Sequence, residues 1–276
     1  MSHMIQNSCM RETIKFSAED DLMWHKLYTK QFTNIQDKAF SIFLKKLKEF
    51  DLPVSRVPQL YEVSDKIYSA TKWQVVPVSG LVEYNTYFSM LAERKFQSAT
   101  NIRSECEEDL SKDPDIFHEL FGHCTMLLSQ EYADFMQEFA KFSLTLSELD
   151  RPLITRLIWF TTETGLIKTE AGTKIYGSSI MSSYAETLHS LKNTENIHKS
   201  FDIVNIFREP FRADILQRVY YVIEDIKQVY SLVQDPLNLI TAMRVAREMG
   251  EYPPLFPVTH NKYSNIGHCV PLEVTA

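Results

Sequence analysis

The chain has 276 residues, 44% of them hydrophobic and 24% charged, with a net charge of −7 and only 7 glycines. That balance belongs to a folded globular protein with a sizeable core, and scarce glycine argues against an architecture of many tight β-turns. The acidic charge argues against a binder of the nucleic-acid backbone, which needs a basic face, and no apolar run reaches membrane-spanning length.

Ser17-Ala18-Glu19-Asp20 has the form of a capping box and predicts a helix through Trp24, Leu27, Tyr28 and Phe32. A second amphipathic helix carries Ala39, Phe40, Phe43, Leu44 and Leu47, and Asp51-Leu52-Pro53 ends it. A third is expected from Pro58 through Leu60, Val63 and Ile67 to Lys72. Residues 73–78 are β-branched and extended in character, Gly80 breaks them, and 96–104 form a second candidate strand. The acidic stretch 105–114 reads as a loop. Beyond it, Tyr132, Phe135, Met136, Phe139 and Phe142 lie on one helical stripe. Asp150-Arg151-Pro152 starts a helix expected over 153–164, and helical patterning continues over 180–191, 213–233 and 236–249. The tail from Tyr252 is irregular. The fold class is therefore mainly α with a few short β-strands, expected as one domain over 17–276 after a flexible segment 1–16.

The four cysteines (Cys9, Cys106, Cys124, Cys269) are scattered and form no C-x-x-C pair, so neither a disulfide scaffold nor a zinc ribbon is indicated. No N-terminal signal pattern is visible, and a reducing cytoplasm is the expected location. Met1-Ser2-His3-Met4 has the look of a cloning remnant, which leaves His3 without a role. His25, His189, His198, His260 and His268 sit in settings that suggest surface or packing roles.

The informative stretch is Pro114-Asp115-Ile116-Phe117-His118-Glu119-Leu120-Phe121-Gly122-His123. Imidazole is the commonest side-chain metal ligand, and two on neighbouring backbone begin a metal site. At i,i+5, however, the rings would diverge by about 140° on an ideal α-helix. Both bind one ion only if the helix ends or distorts, and Gly122 is the residue expected to permit that. A third ligand is suggested by Glu163, whose neighbourhood is otherwise apolar or small. The plainer alternative is an ion pair with Arg156, seven residues earlier on the same face. Two imidazoles and a carboxylate suit Fe(II) with open positions, or a hydrolytic Zn(II) with Glu119 as general base. The ligands alone leave both open.

The string Pro114 to His123, then Trp159-Phe160-Thr161-Thr162-Glu163-Thr164-Gly165-Leu166, Lys174-Ile175-Tyr176-Gly177 and Ser182-Ser183-Tyr184-Ala185-Glu186, resembles the pterin-dependent aromatic amino acid hydroxylases. The likeness is dense from Pro77 to Glu186 and nearest to the family's prokaryotic, phenylalanine-specific branch, since neither a regulatory domain in front nor a heptad-rich tail is visible. It implies His118, His123 and Glu163 as ligands of Fe(II), with tetrahydropterin and O₂ as co-substrates. Arg103 would bind the substrate carboxylate and Asp115 would orient it. Ser111 would stand near the substrate backbone, and Pro114 and Trp159 would line the ring pocket. Gly80, Leu81 and Val82 would meet the pterin edge, and Tyr87 would stack on it. Glu119 would reach the pterin through water, and Ser182 would support a ligating histidine while bordering the substrate. The implied reaction is conversion of L-phenylalanine to L-tyrosine, with tryptophan or tyrosine hydroxylation as alternatives and a Zn(II) hydrolase as a rival from another class. Small-molecule partners, neither nucleic acid nor membrane, and a monomer or small homo-oligomer complete the expectation.

Overall fold

The computed structural model describes residues 13–80, 82–111, 113–192 and 196–256. Helix α1 (Ala18–Ile35) starts where predicted: the Ser17 hydroxyl accepts from Asp20 N, and the Asp20 carboxylate accepts from Ser17 N. Helix α2 (Ser41–Phe50) ends at Asp51 in the left-handed conformation, and α3 (Leu60–Thr71) ends likewise at Lys72. Strand β1 (Gln74–Pro77) then pairs in parallel with β2 (Lys95–Ser98), and α4 (Tyr84–Ala92) connects them. No helix was expected at α4, and the strand expected over 96–104 stops at Ser98.

After a loop with one 3₁₀ turn (Glu105–Glu107), a π-helical segment (His118–Cys124) runs into α5 (Thr125–Leu127) and α6 (Gln130–Leu144). Helix α7 (Arg151–Ile158) likewise ends in a second π-helical turn (Trp159–Glu163). The hairpin of β3 (Leu166–Thr169) and β4 (Gly172–Ile175) follows, then α8 (Ser178–Met181) and α9 (Tyr184–Ser190). The expected helix over 180–191 is thus broken, because Ser183 caps a new helix by accepting from Glu186 N. Strand β5 (Ile197–Ser200), α10 (Ile203–Arg208), β6 (Val219–Ile223), α11 (Lys227–Tyr230) and α12 (Pro236–Met249) complete the described chain.

The helix expected over 213–233 is a correction. Its middle is β6, which pairs in parallel with β5 and β3 inside a sheet of order β4-β3-β6-β5. Val219, Tyr220, Tyr221 and Ile223 are all buried, so the run lacks the alternation that marks a half-exposed strand.

One continuous hydrophobic cluster joins these elements. Its part beneath the histidine segment is aromatic: Trp24 meets Phe117 edge-on at 5.5 Å, Phe117 stacks on Phe121 at 4.9 Å, and Tyr28 meets Phe121 edge-on at 5.5 Å. Such pairs add about 0.5–1.5 kcal/mol each beyond burial. They lock one side of the segment against α1 and leave its histidines on the other. The flexible segment expected at 1–16 lies outside the described residues as far as 12. Its last part is tied down, since Ile14 exchanges backbone hydrogen bonds with the Gln59 side chain at 2.9 and 3.0 Å. Among the described residues no helix is long and apolar enough to cross a membrane.

Candidate metal centre

The spacing problem of the two histidines is solved by the backbone. A π-helix bonds residues five apart, so positions that diverge on an α-helix come one above the other. His118 Nε2 and His123 Nε2 stand 3.0 Å apart, with rings crossing at 84°. Two nitrogens about 2.1 Å from one ion and at right angles around it are about 3.0 Å apart, so this spacing suits adjacent ligands. Gly122 contributes differently from expectation. Its backbone is not in the left-handed region, but a Cβ there would meet the Ser178 carbonyl oxygen at 2.8 Å. The glycine admits α8 against the π-helical segment.

Glu163 closes the second π-helical turn and points at the same spot. Its Oε1 lies 3.2 Å from His123 Nε2 and its Oε2 lies 4.0 Å from His118 Nε2. One ligand atom from each of the three residues fits within a mutual 4.8 Å. The alternative pairing is absent: Arg156 binds Glu251 at 2.5 Å and the Phe207 carbonyl at 2.6 Å. The donor set fits a divalent ion in a further respect. If both Nε2 atoms offer lone pairs to an ion, each Nδ1 carries the proton. That of His118 then donates to Ser182 Oγ at 2.8 Å, the support a ligating imidazole usually has. The Nδ1 of His123 is buried without a hydrogen-bond partner among the described residues.

The electrostatics of the two imidazoles differ. Burial, aided by the neighbouring His123, lowers the His118 pKa to about 4, which keeps it a neutral ligand. For His123 burial pulls down as well, but the Glu163 carboxylate and its hydrogen bond prevail and leave the pKa raised. Glu163 is pushed up by burial and pulled further down by His123, so its carboxylate is charged throughout the neutral range. Glu119 is the exception: burial raises it to about 8, so much of it is an uncharged acid at neutrality, able to donate a hydrogen bond.

Next to the centre lies a second buried pair. Asp115 Oδ2 accepts from Arg103 Nε at 2.9 Å and Arg103 N at 2.8 Å, while Oδ1 accepts from the other side of the guanidinium at 2.6 Å and from His118 N at 3.0 Å. Burial pushes the Asp115 pKa up, but the Arg103 charge and hydrogen bonds outweigh it and leave the pKa lowered. Arg103 also donates to the Ser182 carbonyl at 3.1 Å, so Ser182 touches both the arginine and His118. Trp159 stacks on Phe211 at 4.7 Å, and its Nε1 donates to Gln217 Oε1 at 3.0 Å.

The remaining expected positions are less tightly gathered. Pro114 is exposed, and the Ser111 hydroxyl donates to the Asp113 carbonyl at 2.7 Å. Gly80 is exposed with φ 114°, Val82 is half-buried, and Leu81 lies outside the described residues. Tyr87, in α4, meets Phe88 edge-on at 5.1 Å. Away from the centre, His189, His198 and His25 donate to the carbonyls of Gln217, Ser190 and Val54, in line with packing roles; His3, His260 and His268 lie outside the described residues. Sequence reasoning missed Ser178 and Ser179, whose hydroxyls reach Glu163, and Gln217, which holds Trp159. The only signal was the run of small residues after Tyr176.

Comparison with known proteins agrees. The profile of the biopterin-dependent aromatic amino acid hydroxylases matches residues 6–245. The phenylalanine-4-hydroxylase of Pseudomonas aeruginosa is 36% identical over 244 residues, covering 88% of this chain and 92% of that protein. The solved phenylalanine hydroxylase of Legionella pneumophila superposes with a TM-score of 0.83 at 42% identity, covering 88% of this chain and 96% of that one. That of Chromobacterium violaceum with bound iron(III) and oxidised 7,8-dihydrobiopterin gives a TM-score of 0.78 at 34% identity, covering 83% and 84%. With two π-helical turns bringing His118, His123 and Glu163 together and a profile match over most of its length, this chain belongs to the biopterin-dependent aromatic amino acid hydroxylase family.

Proposed function

We propose that this chain is a phenylalanine 4-monooxygenase, converting L-phenylalanine to L-tyrosine with Fe(II), a tetrahydropterin and O₂. The observation that carries the reading is the convergence of two imidazoles and one carboxylate on a single point, in a family whose bacterial relatives are phenylalanine hydroxylases. Bound Fe(II) and tetrahydropterin supply the activation of O₂, one oxygen atom going to the ring and the other to the pterin.

The protein's own residues hold and orient. His118, His123 and Glu163 hold the ion, and Ser182 fixes the His118 ring through Nδ1. Arg103 receives the substrate carboxylate with a guanidinium already set in plane by Asp115, so little rotamer freedom is lost on binding. Trp159, Pro114 and Ser111 border the substrate, with Trp159 held flat on Phe211. Gly80, Leu81 and Val82 present backbone to the pterin edge, and Tyr87 offers its ring face. Glu119 reaches toward the pterin through water. We place the protein in the cytoplasm as a monomer or small homo-oligomer whose partners are small molecules.

The test is anaerobic loading with Fe(II), then assay of phenylalanine, tyrosine and tryptophan with tetrahydropterin and O₂. Tyrosine formed from phenylalanine with stoichiometric pterin oxidation is the expected result. Preferred turnover of another amino acid would correct the substrate. Hydrolytic activity restored by Zn(II) without pterin or O₂ would overturn the class.

A further inference from the structure

The carboxylate of Glu163 is held asymmetrically. Its Oε2 accepts hydrogen bonds from Ser179 Oγ at 2.6 Å and Ser178 Oγ at 2.9 Å. Its Oε1 faces His123 Nε2 at 3.2 Å and accepts from neither serine. Both serines open α8, which close backbone packing seats on the two π-helical turns. A Cβ on Gly122 would press on the Ser178 carbonyl, and one on Gly177 would strike the Glu163 carbonyl. The two hydroxyls are not equivalent. That of Ser178 has one proton and also stands 2.9 Å from the Thr162 carbonyl and 3.2 Å from His123 Nε2. That of Ser179 is directed to Glu163 alone among the described hydrogen bonds.

We propose that Ser178 and Ser179 form a hydroxyl clamp that makes Glu163 a ligand through one oxygen, keeping Oε2 off the ion and a neighbouring coordination position open. This rests on reading the centre as a metal site. The physical reason is competition for lone pairs. A carboxylate oxygen that accepts two charge-assisted hydrogen bonds is a poorer ligand than its unencumbered twin, and rotating it toward the ion would break both bonds. The serines touch a ligand rather than the reacting atoms, so they are positioning residues. The clamp also assigns them unequal weight, with Ser179 the principal donor.

The experiment uses Co(II) as the probe, with chelator competition for affinity and the visible d–d absorption for the coordination sphere. Ser179→Ala is expected to weaken Co(II) binding by on the order of 10–100-fold and to alter the d–d bands, as loss of a group supporting a ligand does. Ser178→Ala is expected to do less, and Ser179→Thr, which retains the hydroxyl, to restore affinity and bands. The clamp is overturned if a doubly substituted S178A/S179A protein that melts like wild type binds Co(II) with unchanged affinity and bands. It is equally overturned if a folded Ser179→Thr loses Co(II) as fully as Ser179→Ala. Failure of the wild-type protein to take up Co(II) at all would instead remove the metal-site reading on which the clamp stands.

Discussion

Two buried clusters of charge meet at Asp115 and His118, and they are finished in different ways. In the Arg103–Asp115 pair both side chains are about 2% exposed, and the protein itself satisfies the carboxylate. Both carboxylate oxygens are taken, by the guanidinium and by two backbone amides. At His118, His123 and Glu163 the protein stops short. Two ring nitrogens face each other at 3.0 Å beside a carboxylate, an arrangement that a cation completes and side chains do not. The contrast separates an anchor from a receptor: two ring nitrogens and a carboxylate converging on one point are the mark of a place built for a cation.

The largest effect that tests this contrast is removal of a ligand. His118→Ala, His123→Ala or Glu163→Ala should leave iron retention below detection by metal analysis after gel filtration, because a three-bond receptor loses one bond. Folding should survive, since the ion's partners are not the core. The anchor should behave in the opposite way. Asp115→Ala strands a buried guanidinium and should cost about 3–5 kcal/mol in denaturant unfolding, with an apolar replacement of both Arg103 and Asp115 costing less than the single change. For the same reason Arg103→Ala should lower stability as well as raise KM for the amino acid.

Acid sharpens the comparison. The Asp115 carboxyl has a folded pKa below its ordinary 3.8, because Arg103 outweighs burial. Its stabilisation is therefore complete above that ordinary value and is lost as pH falls through it toward the lowered one. Unfolding free energies measured from pH 6 to pH 3 should fall more steeply for wild type than for Asp115→Asn. A smaller effect is expected at Trp159. Gln217→Leu removes the acceptor of its part-buried indole N–H together with the amide's bonds to the Arg212 and Ile215 carbonyls, a loss of about 1–3 kcal/mol, and should shift KM more than iron affinity.

The elements legible in the sequence were those with local signals. The capping box at Ser17, the stripe of α6 and the Pro start of α12 each fix a helix without help from the rest of the chain. Strand β6 was not legible, because Val219–Ile223 is covered on both faces and its pairing partners are 22 and more residues away in β5 and β3. The histidine spacing announced a distortion but not its kind, since five-residue periodicity belongs to no common helix. Gly122 was read as backbone freedom, whereas its role is to let another element come close, which only the tertiary structure reveals. Ser178 and Ser179 were silent for a like reason: a hydroxyl's partner lies 15 or 16 residues away, across a hairpin.

The wide turns at His118–Cys124 and Trp159–Glu163 have one more consequence. Relative to an α-helix each accommodates a surplus residue, and deleting one would let ordinary four-residue bonding return. Were the same residues instead to relax to four-residue bonding without a deletion, His118 and His123 would point about 140° apart. The relaxed segment would be a tidier helix whose imidazoles no longer see each other, whereas a deletion between them would place them at i,i+4, back on one face. In these two places regular architecture and chemistry are competing outcomes of the same few residues.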